Sequence, residues 1–209
     1  MLFYKKVMLI MALAGIIRLI PGCCDCDEST VPFSFNKTDI VNLDNSGEWA
    51  VTTTTDTMKP GAVAFEVALF DSLGYFYAPE PSLNSIGFGQ AKAMSCDCSI
   101  PFSANQYLTS IRITSLYALT PEIIAGSDVS GHFVARPTNN SSTGSLYSSL
   151  ESICKQTKGK TYYDSGVESF GLFLRIPVEN IRARFIIDIY LSDETILRDT
   201  THMITIHNK

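Results

Sequence analysis

Short runs of β-branched and aromatic residues recur along most of the chain, each bounded by Gly, Pro, Asn, Asp or Ser, which is the pattern of strands separated by turns. Successive side chains of a strand point to opposite faces. Ala62 to Phe70 therefore sets Val63, Phe65, Val67 and Leu69 on one face and Ala64, Glu66 and Ala68 on the other. The same pattern predicts strands over Val31 to Phe35, Thr38 to Leu43, Glu48 to Thr55, Leu108 to Leu116, Val129 to Ala135, Phe170 to Val178, Arg184 to Leu191 and Thr195 to His207. The last two read as a terminal hairpin through Ser192-Asp193-Glu194. Ser145 to Gln156 breaks the alternation: Leu146, Leu150, Ile153 and Cys154 fall on one face of a helix. Pro121 to Ala125 reads as a single helical turn. Residues 71 to 105 keep no sustained period and predict a long irregular connection, with one short strand near Lys92 to Cys98; loops of this length are often functional.

Many short strands with one helix imply an all-β fold. Strands with one apolar face need a second sheet to bury it, so the expected architecture is a two-sheet antiparallel sandwich, immunoglobulin-like or transthyretin-like, with one short helix. Regular strand-helix alternation, the mark of a parallel α/β sheet, is absent.

The first thirty residues follow a different grammar. Lys5 and Lys6 precede an apolar run from Val7 to Ile17, then Arg18, then Leu19-Ile20-Pro21-Gly22-Cys23, the layout of an export signal. The run ends well short of the roughly 20 apolar residues that span a bilayer. Ile20-Pro21-Gly22-Cys23 resembles the bacterial lipobox, and that resemblance implies cleavage before Cys23 and acylation of its thiol, with outer-membrane lipid as the partner of the acyl chains. The acidic stretch Cys24-Asp25-Cys26-Asp27-Glu28 is similar to the tether that follows the lipidated cysteine in lipoproteins of the Bacteroidota, which implies display on the outer face of the cell. The expected organisation is a signal peptide over 1–22, a cysteine-containing acidic tether over 23–30 and one sandwich domain over 31–209. In layout, with cysteines at the mature start, Cys96-Asp97-Cys98 in the middle, Ile111-Arg112-Ile113-Thr114-Ser115, Ala125-Gly126-Ser127-Asp128-Val129 and a β-rich end, the chain resembles small β-sandwich lipoproteins of that group. The resemblance transfers no catalytic residue.

Charge narrows the partners. The 209 residues carry 16 basic and 21 acidic side chains, a net −5; loss of residues 1–22 removes three bases and no acid, leaving 13 against 21, or −8. Such a chain repels phosphate backbones, so nucleic acid is not an expected partner. A glycan or a protein remains as the expected ligand class. Tyr75, Tyr77 and Phe88, in the irregular middle, are the candidate ligand-contacting side chains, because exposed aromatics stack on sugar rings or anchor a partner; the competing reading has them closing the end of the core.

Six cysteines sit at 23, 24, 26, 96, 98 and 154, and five remain once Cys23 carries lipid. Export permits disulfides, so Cys24 and Cys26 are expected to pair with Cys96 or Cys98, while Cys154, on the inner face of the helix, is expected to be a buried, unreactive thiol. A redox dithiol at Cys96-Asp97-Cys98 is an alternative, and a zinc site the sharper one. Cys-x-Cys spacing with no histidine beside it is not a zinc pattern, and no metal or other cofactor is expected. His202 and His207, five positions apart in one strand, would face opposite ways, and His132 stands alone. Asp56-Thr57-Met58, Asp71-Ser72-Leu73 and Asp199-Thr200-Thr201 resemble bacterial O-glycosylation acceptors. No nucleophile elbow, zinc-protease pair or phosphate loop is present. The expected function is a non-enzymatic, lipid-anchored binding or interaction module of the cell outer membrane; a fimbrial or adhesin-like subunit and a carbohydrate-active hydrolase with dispersed carboxylates are the alternatives.

Overall fold

The alternation of Ala62 to Phe70 becomes a central strand, and the rest of the fold is assembled by giving its inner face a cover. The computed structural model describes residues 29–47, 50–72, 101–138, 147–163 and 166–207, which belong to one compact unit. Among them the strands are β1 (Val31–Phe33), β2 (Lys37–Asp44), β3 (Val51–Thr52), β4 (Thr57–Met58), β5 (Val63–Phe70), β6 (Pro101–Ala104), β7 (Leu108–Ser115), β8 (Phe133–Pro137), β9 (Thr161–Tyr163), β10 (Glu168–Leu174), β11 (Arg182–Ala183), β12 (Phe185–Leu191), β13 (Ile196–Thr200) and β14 (Ile204–Ile206). One α-helix, α1 (Leu150–Thr157), accompanies them.

Two antiparallel sheets form the sandwich. The larger runs β3-β2-β5-β10-β8 and the smaller β13-β12-β7. Val63, Phe65, Val67 and Leu69 of β5 are buried on the inner face, as are Phe170 and Leu172 of β10 and Phe185, Ile187 and Ile189 of β12. The two faces meet at Phe185, whose ring lies 5.5 Å from that of Phe65 and 5.6 Å from that of Phe133, both edge-to-face. A sandwich leaves two open sides. Helix α1 packs against β7 and β8, the edge strands on one side, and β13 approaches β2 on the other. The helix starts where it does because the Ser149 hydroxyl accepts from the Ser152 amide at 3.2 Å, capping one otherwise unpaired donor. Its buried residues are Ile153, Cys154 and Thr157.

Two small sheets, β1-β6-β9 and β11-β14-β4, extend the structure. The first gathers Phe33, Phe35, Phe102 and Tyr162, with the Phe33 ring 5.2 Å from Phe35 and 5.4 Å from Tyr162.

The all-β sandwich is therefore the fold, with corrections in detail. Pairings of β1 with β6 and of β4 with β14 are parallel, so the structure is not antiparallel throughout. Pro121 to Ala125 forms bends and a turn, and the helical turn lies instead at Ser130–His132, inside the predicted strand from Val129. There Asp128 accepts from the amide and hydroxyl of Ser130, at 3.0 and 2.7 Å, and holds the backbone out of extended geometry until Phe133. The predicted hairpin forms between β12 and β13, with Glu194 at φ 69° in its turn, but the chain then leaves the sheet and β14 joins β11 and β4. His202 and His207 consequently do not share a strand; both are exposed. Strand Pro101–Ala104 falls within the stretch read as irregular, while Glu48, Trp49, Leu146 and residues 73–100 lie outside the described residues.

Candidate functional site

Clefts open beside the core in the described structure. The one with an electrostatic character runs along the outer edge of β2. It encloses about 330 Å³ and is lined by Asp39, Ile40, Val41, Asn42, Thr53, Thr54, Asp56 and His202. Its position follows from the topology: β3 pairs with β2 only at Leu43 and Asp44, after which Thr53 donates to the Asn42 carbonyl at 3.0 Å and the chain turns away toward β4. The edge of β2 from Lys37 to Ile40 consequently has no strand partner among the described residues. Side chains of both faces reach the cleft because it wraps that edge, Asp39 and Val41 from the outer face, Ile40 and Asn42 from the inner.

Asn42 is the buried polar side chain of β2, 4% exposed on a face it shares with Thr38, Ile40 and Asp44. Its Nδ2 donates to Asp56 Oδ1 at 3.3 Å, and its Oδ1 has no hydrogen-bond partner. The orientation is dictated by chemistry, since an ionised carboxylate only accepts and the amide must turn its NH2 toward Asp56. A buried carbonyl oxygen left unpaired costs about 1–3 kcal/mol. The cleft lining carries two carboxylates, two threonine hydroxyls and an imidazole, with no lysine or arginine among them.

A second cleft of about 370 Å³ lies between the start of α1 and β7, lined by residues that include Ile111, Ser130, Phe133, Leu150, Glu151 and Cys154. Cys154 is free and buried, and burial pushes its thiol up to about 11. That makes it a poor nucleophile near neutral pH. Glu151 is paired with Lys155 at 2.7 Å, which holds its carboxyl below the usual range.

One further polar cluster is part of the frame. Glu168, 4% exposed, accepts from Lys160 Nζ at 2.6 Å, and that ammonium lies 4.9 Å from the centre of the Tyr162 ring. Burial raises the Tyr162 phenol above its ordinary pKa, and the charge of Glu168 raises it further. The pair ties β10 to the start of β9.

Cys23, Cys24, Cys26, Cys96 and Cys98, and the aromatics Tyr75, Tyr77 and Phe88, lie outside the described residues. His132 is half-buried and His202 lines the β2 cleft. Of the O-glycosylation triplets, Thr57 and Ser72 are exposed and Thr200 is half-buried. Asp39, Asn42, Thr53 and Thr54 were not singled out by sequence, and Asp56 only as part of such a triplet. The alternation gave no signal for Asn42, because its face of the strand also carries Thr38 and Asp44 and does not read as an apolar one. Among the described residues no group of three or more His, Cys, Asp or Glu side chains is placed to hold a metal ion, and no helix is long and apolar enough to cross a membrane.

This geometry is that of a β-sandwich with a polar cleft at one sheet edge. No family model matches the chain, and no curated protein matches its sequence. Among solved structures, one described as BspA_C_mut aligns over 82% of this chain and 46% of its own, at 12% identity and a TM-score of 0.27, so the chain spans less than half of that structure's length.

Proposed function

We propose that the protein is a lipid-anchored lipoprotein of the cell outer membrane, of the small β-sandwich kind found in Bacteroidota, whose sandwich is a non-enzymatic binding module on the outer face. The observation that carries the reading is the order Lys5-Lys6, apolar Val7 to Ile17, then Gly22-Cys23 and an acidic tether. Two or more acyl chains on Cys23 hold a protein stably at a bilayer, since each buried methylene contributes about 0.8 kcal/mol. The β2 cleft supports the binding role, because it sets the exposed carboxylates of Asp39 and Asp56 around a recess at the edge of a sheet. The absence of a recognisable catalytic motif in the sequence favours binding over turnover.

Expressing the full chain and its Cys23→Ser variant in a bacterial host, with metabolic fatty-acid labelling and fractionation, tests the anchoring. The parent should be labelled and sediment with membranes, and the variant should lose the label and release its mature domain. A variant that stays membrane-bound would overturn the lipoprotein reading.

A further inference from the structure

We propose that the outer face of the smaller sheet, β13-β12-β7, is a platform for a neutral oligosaccharide. The proposal rests on the binding-module reading and adds a surface and a ligand class to it. Alternate residues of the three strands point outward, and the register sets them side by side in rows. In the central row Asp188 faces Arg112 on one neighbour and Arg198 on the other. Asp128, beside the free edge of β7, continues the row and pairs with Arg112 at 3.2 Å. On one side of this row lie Ser110, Tyr190 and Ile196, and on the other Thr114, Ile186 and Thr200. The side chains of Arg112 and Arg198 are 54% and 66% exposed and Ile196 is 49% exposed, so the face is open to solvent. The Asp188 side chain, between the two arginines, is only 5% exposed.

The row is held in place and balanced in charge. Arg198 donates to both oxygens of Asp188, from Nε at 2.5 Å and Nη2 at 3.1 Å, a fork that fixes the guanidinium plane. The hydrogen bond and charge of Asp188 hold Arg198 above its usual pKa, and the Tyr190 phenol adds to the effect, which sets that ring beside the guanidinium. A guanidinium has five N–H donors; Arg198 spends two on Asp188 and Arg112 directs one at Asp128, so most of the donors have no acceptor among the described residues. Two arginines and two aspartates leave no net charge, so neither an anion nor a cation gains a net attraction here. The ligand that fits brings neutral acceptors for the spare N–H groups and a hydrocarbon face for Tyr190 and Ile196. A pyranose carries both, hydroxyl and ring oxygens at its edge and C–H groups on its faces. Size separates a glycan from a protein partner. The rows span about 10 Å across the strands and about 13 Å along them, well below the roughly 800 Å² that each side of a stable protein interface buries.

The test is affinity electrophoresis of the full chain, solubilised in a neutral detergent, through native gels containing dextran, mannan, xyloglucan or arabinogalactan, with polygalacturonate as the anionic comparison. At least one neutral polysaccharide should retard the protein, and polygalacturonate should retard it less. Tyr190→Ala and Arg112→Ala should each weaken the retardation about tenfold in dissociation constant, and Ile196→Ser should weaken it too. These three side chains are at least partly exposed and lie outside the core, so circular dichroism should show the variants folded. Tyr163→Ala, which removes an exposed aromatic from β9, should migrate as the parent does. Retardation that survives in all three face variants would keep a binding module and remove this face from it. No retardation by any neutral polysaccharide, or retardation by polygalacturonate alone, would overturn the proposal, as would dimerisation of the unretarded protein that the same variants abolish. Fatty-acid labelling of Cys23 is unaffected by each of these outcomes, so the platform and the anchoring are decided separately.

Discussion

Replacing Gly171 by alanine should destabilise the protein, although a glycine in mid-strand is ordinarily improved by a side chain. Gly171 lies on the outer face of the larger sheet, opposite Glu66 on one neighbour and Arg136 on the other. The Phe173 ring folds back over it, so that a Cβ would meet ring atoms at 2.6 and 2.9 Å. Restoring ordinary contact at 3.4 Å moves the ring by about 0.8 Å. The ring is not free to move, because Tyr147 meets it edge-on at 4.9 Å and the Arg136 guanidinium stands 5.2 Å above it. Those contacts contribute about 0.5–1.5 and 0.5–1 kcal/mol, and displacement puts much of both at risk. Against this, alanine recovers about 0.5–1 kcal/mol of backbone entropy. The balance is a loss of about 1 kcal/mol for Gly171→Ala. In a Phe173→Leu background the obstruction is gone and the same change should gain about 0.5 kcal/mol, a reversal of sign that urea denaturation of the four proteins reads as a coupling of about 1.5 kcal/mol. If Gly171→Ala raised stability equally in both backgrounds, the account of this face would be refuted.

The core predicts a larger effect: Phe185→Ala, which empties the junction of Phe65 and Phe133, should cost about 3–5 kcal/mol by chemical denaturation. Lys160→Met strands the buried carboxylate of Glu168 and should cost about 2–3 kcal/mol, less than a fully buried pair because Lys160 is one-third exposed; adding Glu168→Gln should recover part of the loss. With its thiol raised from an ordinary 9.0 to about 11, Cys154 is protonated in the fold while the unfolded chain ionises, so its contribution to stability is complete below pH 9 and declines between pH 9 and 11. Peptide-resolved alkylation at pH 8 should accordingly find Cys154 unmodified in native protein and modified in urea; rapid native labelling would show the thiol to be accessible.

The strands that the sequence revealed are those with one buried face. In β5 the alternation Val63, Phe65, Val67, Leu69 is clean because the inner face is wholly core, and β7 and β12 were legible for the same reason. Two-residue strands such as β3 and β4 carry no period at all, and their existence depends on partners distant in sequence, such as the pairing of Thr57 and Met58 with β14. The terminal stretch was read as one strand because Thr195 to His207 is β-branched throughout; composition does not record that Thr201 donates to the Phe185 carbonyl at 2.9 Å just before the chain changes sheets. Helix α1 was found by its apolar face but placed several residues early, since the Ser149 cap and not the periodicity sets its start. The β2 cleft was illegible for a different reason: Asp39, Asp56 and His202 meet only through tertiary structure, and each alone is an ordinary surface residue.

Whether Cys23 holds the domain at the membrane is decided by mass spectrometry of the N-terminal peptide of protein extracted from membranes with detergent. The predicted peptide begins at Cys23 and carries the mass of a diacylglyceryl group on its thiol, with residues 1–22 gone. A peptide retaining residues before Cys23, or one beginning elsewhere with an unmodified cysteine, would contradict it.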